Sequence, residues 1–261
     1  MPRSLWSGSL SFGLVNVPVA LFSAARDTDV HFHQLHEPDG ARIEVRRFCS
    51  KEDEEVAFED IGHAYELDGG KTVVLTDAEL AAVAPERTRT IEISSFVETA
   101  SIDPILYDHP YWLLPTGESA GTKRAYRLLV EAMGSTDRVA LGRFVLRTKE
   151  YLVAVRVRDG LLSLTTMVFP DEIRATKGID TGARKPAKES LSQAVKLIEA
   201  LGADFDPGKY KDEYTKRLKK VIKDKEKGGT IDVPEPDDEP APAPDLLEAL
   251  RASMAEIRKQ R

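Results

Sequence analysis

The chain lacks the features that mark secreted, membrane-spanning or disulfide-stabilised proteins. Its 261 residues contain a single cysteine, Cys49, so no disulfide can form within the chain. No stretch approaches the ~18 apolar residues that a spanning helix needs. Asn16 and Pro18 interrupt the apolar N-terminal stretch that ends at Phe22, which argues against a secretory signal. We therefore expect a cytoplasmic protein that does not associate with membranes.

An excess of positive charge is also missing, since the formal net charge is −7. Nucleic-acid-binding domains usually carry a basic excess. The charge is unevenly distributed: residues 209–227 hold nine basic and four acidic side chains, whereas residues 232–245 hold six acidic and no basic ones. Basic runs are more often solvated surfaces than binding sites, so this run alone is weak evidence. Any contact with nucleic acid would need a local basic surface on an acidic body.

Hydrophobic patterns predict a mainly β chain with a few helices. Alternation and turn residues predict strands at 5–12, 14–22, 42–48, 71–75, 90–97, 111–114, 139–146, 151–157 and 161–169. Thr76 and Glu79 predict a capping box before a short helix that Pro85 ends, and a second helix is expected from Gly121 to Gly134. Apolar stripes predict two further helices at 191–201 and 210–222. Many short strands imply an antiparallel barrel or sheet.

The composition changes after Gly229. We expect a main domain at 1–229, an acidic, proline-rich linker at 230–245 and an amphipathic helix at 246–261. The helix would carry an apolar stripe of Leu246, Leu247, Leu250 and Met254. A short helix on a tether is typical of a partner-docking element, and the alternative that it folds back on its own domain stays open.

One enzyme motif is present but incomplete. Residues 117–121 match the G-x-S-x-G pattern of a nucleophile elbow around Ser119. In that hydrolase fold the catalytic histidine follows the serine, yet all five histidines precede Ser119. We expect no enzyme activity, and a serine hydrolase stays only as a remote alternative.

The histidines at 31, 33 and 36 are spaced so that alternate strand residues could share one face and bind zinc. No second cysteine or neighbouring carboxylate completes a ligand set. We expect no metal and no other cofactor.

Several segments resemble the bacterial Ku proteins of non-homologous end joining. Residues 5–19, LWSGSLSFGLVNVPV, are similar to that family's N-terminus nearly residue for residue. The resemblance continues at 32–36, 102–104, 143–150, 169–174 and 205–207, and it spans residues 4 to about 229. One departure is at Cys49, since family members often carry a Cys-x-x-Cys pair there.

The resemblance implies an α+β, mainly β fold: a Ku-type antiparallel β-barrel core with an extended DNA-encircling arm, C-terminal helices and a tethered tail helix. It also implies a non-enzymatic, nucleoid-associated homodimer that forms a ring around double-stranded DNA ends and binds them without sequence specificity. The tail helix would recruit DNA ligase D to repair double-strand breaks. A partner-docking scaffold whose DNA binding is incidental stays as the alternative.

The family's arm corresponds to residues 41–48, whose basic side chains would face DNA. Strand alternation would place Arg42 and Arg46, the first candidates, on one side and Arg47 on the other. Weaker candidates are Lys51, Arg87, Arg89, Lys123 and Arg124. Ordinary surface salt bridges are the alternative role for each of them. If Arg46 contacts a phosphate, Arg46→Ala should lower the slope of log affinity against log salt by about 0.9.

Overall fold

The computed structural model describes residues 3–85, 88–117, 119–180, 182 and 185–229. The chain divides into two compact units, of which the first comprises residues 1–27 and 33–175 and the second residues 28–32 and 176–261. The region expected to form one main domain, 1–229, therefore contributes to two units. The linker and tail helix expected at 230–245 and 246–261 lie outside the described residues.

The described part of the first unit contains nine strands and two α-helices. The strands are β1 (Trp6–Phe12), β2 (Val15–Ser23), β3 (His63–Glu66), β4 (Thr72–Leu75), β5 (Thr90–Glu98), β6 (Tyr107–Pro115), β7 (Arg138–Leu146), β8 (Lys149–Arg158) and β9 (Leu161–Met167). The helices are α1 (Asp77–Val83) and α2 (Ala120–Thr136). Thr76 caps α1 through the predicted capping box with Glu79, which is confirmed.

Seven of the strands form a closed barrel in the order β1-β2-β6-β9-β8-β7-β5. All neighbours are antiparallel except β1 and β5, which run parallel where Ser9 pairs with Thr90. Strands joined by a short hairpin must run antiparallel, whereas parallel strands need a long connection. The long insertion between β2 and β5 provides such a connection, so β5 can run parallel to β1. The predicted mainly β barrel is confirmed, with one parallel seam.

The barrel interior and α2 share one apolar core. Inward-facing residues such as Leu10, Leu113 and Leu162 are fully buried, and the α2 residues Tyr126, Leu129 and Met133 pack against them. The predicted end of α2 at Gly134 is wrong, because the helix continues to Thr136. It ends where Asp137 adopts a left-handed conformation (φ 48°), which aspartate tolerates better than most residues.

The long insertion between β2 and β5 contains a segment, residues 33–85, that we call the arm. It carries α1 and the two-stranded sheet of β3 and β4, which turn at Gly69-Gly70, where both glycines have a positive φ. The strand predicted at 42–48 is wrong: Arg42 and Phe48 each make one isolated bridge, to Leu35 and Glu55. Alternation alone does not form a strand, because a strand also needs a partner edge along its length.

The second unit contains α3 (Lys188–Ala200) and α4 (Glu213–Glu226), close to the two predicted apolar stripes. Much of the stripe on α3 remains exposed, with 69% of Ile198 accessible. Among the residues that the structure describes, no helix combines the length and apolar content needed to cross a bilayer.

Candidate nucleic-acid interface

The predicted arm cations Arg42, Arg46 and Arg47 and the weaker candidate Lys51 lie together in residues 42–51. This stretch contains Arg42, Arg46, Arg47 and Lys51 but only one carboxylate, Glu44, and all five side chains are exposed. It begins after a tight turn, in which the Ala41 carbonyl accepts a hydrogen bond from the His36 amide (2.7 Å), and it ends within a second turn, in which the Glu54 carbonyl accepts one from the Cys49 amide (2.9 Å). The arm as a whole is acidic, with five Lys and Arg against thirteen Asp and Glu. Its positive charge is therefore local.

Arg46 is already paired with two carboxylates. Its Nη2 lies 3.0 Å from Glu44 Oε2 and its Nη1 lies 3.1 Å from Glu55 Oε2. The hydrogen bond to Glu44 and then the charge of Glu55 raise the pKa of this arginine above its ordinary value. The group formed by these three side chains carries a net charge of −1, so Arg46 does not present a free cation.

The other three cations of the stretch are more available. Arg47 lies over the ring of Phe58, 5.4 Å from its centroid, and among the residues that the structure describes it pairs with no carboxylate. Within the described residues Arg42 and Lys51 form no ion pair. Arg42 is held by its bridge to Leu35, so its backbone position is defined.

Lys123 and Arg124 lie on the exposed first turns of α2, where the Arg124 Nε donates to the Ala120 carbonyl (3.3 Å). Arg127, which sequence reasoning missed, lies beside them in the same shallow cavity and pairs with Glu131 at 3.1 Å. The spacing of three and four residues places 123, 124 and 127 on neighbouring positions of one helix face. That spacing could have identified Arg127.

Arg89 is exposed next to the parallel seam, where its carbonyl accepts a hydrogen bond from the Ser9 amide at 2.8 Å. Arg87 lies outside the described residues. So do Leu246, Leu247, Leu250 and Met254, the predicted partner-docking residues.

Sequence reasoning also missed three arginines at one end of the barrel. Arg138, Arg156 and Arg158 line a cavity of about 410 Å³. Each has a local partner: Arg138 pairs with Glu98 at 3.6 Å, Arg158 with Asp159 at 3.7 Å, and Arg156 stacks 5.8 Å from the Tyr107 centroid. Arg138 begins β7, and Arg156 and Arg158 lie at the end of β8. The sequence could not bring them together, because alternation along a strand does not show which strand ends are neighbours in the barrel.

Ser119 acts as a helix cap. Its Oγ accepts a hydrogen bond from the Thr122 amide at 3.1 Å at the N-terminus of α2. It also lies 3.3 Å from the Thr122 hydroxyl. The motif around Ser119 is therefore accounted for by helix capping.

The histidines and Cys49 do not assemble into a metal site within the described ranges, where no three His, Cys, Asp or Glu side chains come together as ligands. His36 pairs with Asp39 at 2.9 Å, and His63 with Asp77 at 3.5 Å. The amides of Lys51 and Glu52 donate to the Cys49 thiol, which lowers its pKa.

Lys and Arg side chains are exposed both on the closed barrel and on the arm. Comparison with known proteins defines the family. The model of the Ku70/Ku80 beta-barrel domain matches residues 11–193, from β1 into α3.

Curated relatives extend the match over nearly the whole chain. The chain is 41% identical to the "Non-homologous end joining protein Ku" of Anaeromyxobacter sp. (strain K) over 262 residues, which cover 100% of this chain and 88% of the relative. It is 38% identical to the protein of the same name from Mycobacterium tuberculosis, with 97% and 94% covered, and 41% identical to that of Heliobacterium modesticaldum, with 99% and 93% covered. The chain belongs to the Ku family.

Proposed function

We propose that this chain acts in non-homologous end joining as a non-enzymatic homodimer that binds the ends of double-stranded DNA, without sequence specificity, and recruits DNA ligase D. Relatives that carry the name of this pathway, about 40% identical over almost their full length, support the role in end joining.

The arm is the observation that carries the proposal. None of its side chains is buried, and eleven large apolar residues expose between 37% and 90% of their surface: Leu35, Ile43, Val45, Phe48, Phe58, Ile61, Tyr65, Leu67, Val73, Val74 and Val83. Exposed apolar side chains in this number are typical of a surface that associates with a partner. Twofold dimers are the commonest oligomers, so a second copy is the partner that we propose covers this surface.

The exposed cations of the arm suit a sequence-independent contact. A broken end can have any sequence, and contacts to phosphate oxygens carry no base information. Arg42 and Lys51 can give such contacts without first leaving a carboxylate.

The acidic charge supports a preference for ends. With −7 overall and thirteen carboxylates on the arm, most of the molecule repels DNA, so approach is favourable only at local basic surfaces. We propose that these surfaces line a closed ring, which a duplex enters only by threading a free end.

The test compares a linear duplex with a covalently closed circle of the same sequence at low salt, by gel shift. We expect the protein to shift the linear duplex and to leave the circle at the mobility of free DNA. A linear duplex whose two ends are blocked by bulky adducts is the control, and it should behave like the circle. Equal binding to all three would reject end recognition, and light scattering that gives a monomer in the DNA complex would reject the ring.

Recruitment of the ligase is tested by deleting residues 230–261. We expect end binding to survive and stimulation of the ligase to fall. A charge substitution within the apolar stripe, Leu247→Asp with Leu250→Asp, should reproduce the loss, whereas Glu248→Gln with Arg251→Gln should not. Loss of both activities in the deletion would show that the tail belongs to the core. Intact stimulation with equal binding to linear and circular DNA would favour the docking scaffold.

A further inference from the structure

Helix α4 presents a row of lysines on one side. Lys216, Lys219, Lys220 and Lys223 follow the spacing i, i+3, i+4, i+7, which places them on one face of a helix. Together with Thr28, Asp212 and Thr215 of the same unit, these lysines line an open cavity with a volume of about 550 Å³. We call this set the lysine face.

The lysine face carries more positive charge than its own carboxylates compensate. Lys216 pairs with Glu213 at 3.2 Å. Asp212 caps α4, because its Oδ1 accepts from the Thr215 amide at 2.9 Å, and the Thr215 hydrogen bonds followed by the charge of Lys219 lower its pKa. Within the described residues Lys220 and Lys223 form no ion pair. At least two ammonium groups are therefore free to bind an anion.

The shape of the row indicates a polymeric anion. The helix rises about 1.5 Å per residue, so the lysine face extends about 10 Å along the axis. Each strand of a duplex carries a phosphate about every 3.4 Å of its length, so a row of this extent matches about three phosphates. Lysine ammonium groups act as point charges without fixed geometry and suit phosphate better than base edges.

An acidic protein segment fits the same surface less well. The cores of protein interfaces are apolar and rich in aromatic side chains. In the part of the chain that the structure describes, four lysines, two threonines and one aspartate line the lysine face, and no aromatic side chain does. We infer that the lysine face of α4 binds the phosphate backbone of double-stranded DNA. This inference rests on the proposed function for the identity of the polymer, and it adds a second contact surface outside the barrel unit.

The test measures the affinity of the full chain for a linear duplex as a function of salt. The variant Lys219→Gln/Lys220→Gln/Lys223→Gln removes three charges, and glutamine preserves helix propensity. The control replaces three exposed lysines of the same unit outside α4: Lys177→Gln, Lys188→Gln and Lys196→Gln.

We expect the α4 variant to lower the slope of log affinity against log salt by about 0.9 for each lost contact, up to about 2.7 per copy. At 0.15 M salt this corresponds to a loss of affinity on the order of 100-fold per copy. The control should change the slope by less than one contact. The matching Lys→Arg triple variant should keep the slope, because the charge is retained, and circular dichroism checks that each variant stays folded.

An unchanged slope in the α4 variant, with linear duplex still bound, would overturn the inference and leave the proposed function standing. A lowered slope together with equal binding to linear and circular DNA would support the inference while end recognition fails. Deleting residues 230–261 tests a competing occupant, the chain's own acidic segment. If the deletion raised the affinity for DNA only when the lysine face was intact, the acidic segment would compete with DNA for the same lysines and the inference would stand.

Discussion

Separate alanine substitutions of Arg42 and Arg46 test which cations of the arm contact DNA. Both are exposed and four residues apart in the basic stretch 42–51. Arg46 is held by Glu44 and Glu55, while Arg42 forms no ion pair among the described residues. To contact a phosphate, Arg46 would have to leave two carboxylates and bring their negative charge close to DNA. We therefore expect Arg42 to be the stronger contact.

The expected magnitude follows from counterion release. One phosphate contact contributes about 0.9 to the slope of log affinity against log salt, so Arg42→Ala should lower it by about 0.9 per copy and about 1.8 in a dimer. At 0.15 M salt the affinity should fall roughly fivefold for each copy. Arg46→Ala should change the slope by clearly less than one contact, in contrast to the value of about 0.9 expected from the sequence.

Fluorescence anisotropy with a linear duplex between 0.05 and 0.3 M salt, taken as roughly the range in which such slopes are linear, gives both quantities. Lys196→Ala, outside the arm, controls for the loss of one unit of charge. Glu44→Gln with Glu55→Gln should free Arg46 and make Arg46→Ala costly in that background. A full loss on Arg46→Ala in the wild-type background, with no effect of Arg42→Ala, would refute the reasoning.

Two further substitutions test the barrel. Tyr126→Phe should lower the free energy of unfolding by about 1–3 kcal/mol, because the buried hydroxyl donates to one strand carbonyl (2.8 Å) and accepts from the amide of a neighbouring strand (2.9 Å). Denaturant unfolding measures it, and the exposed Tyr65→Phe should change nothing. Gly142→Ala should lower the free energy of unfolding by about 1–3 kcal/mol, because an added Cβ would clash with the backbone carbonyl oxygen of Glu92 on the neighbouring strand β5. Gly62→Ala, with open space around it, is the matched control, and equal melting temperatures for both alanine variants would contradict this account.

Most barrel strands could be predicted because their pattern and their environment agree. The hairpin of β8 and β9, for example, follows from alternation on both sides of Asp159-Gly160, and both residues adopt the positive φ that a tight hairpin turn needs. The segment 42–48 has a similar pattern but no strand edge beside it in the chain. The alternation in this segment is real, but the prediction that it forms a strand is wrong.

The candidate site was likewise predictable only in part from the sequence. Through the family resemblance, the sequence pointed to Arg42, Arg46 and Arg47 as cations of an arm at residues 41–48, and to Lys51 as a weaker candidate from a neighbouring connection. It could not show that Glu55, nine residues beyond Arg46, would turn back to pair with it. That contact depends on the turn at residues 49–54, which the tertiary structure decides.

By itself, the sequence determined the mainly β core, the capped helix α1 and the family, because each rests on a local pattern or on a long specific match. The positions of the charges were also readable, since lysine spacing on α4 follows from helix geometry. Only the tertiary structure decided which charges stay free, because ion pairs and concave surfaces join residues that are distant in the chain. Thr28, for example, lines the same cavity as Lys219 and Lys223 although it is about 190 residues away in the chain.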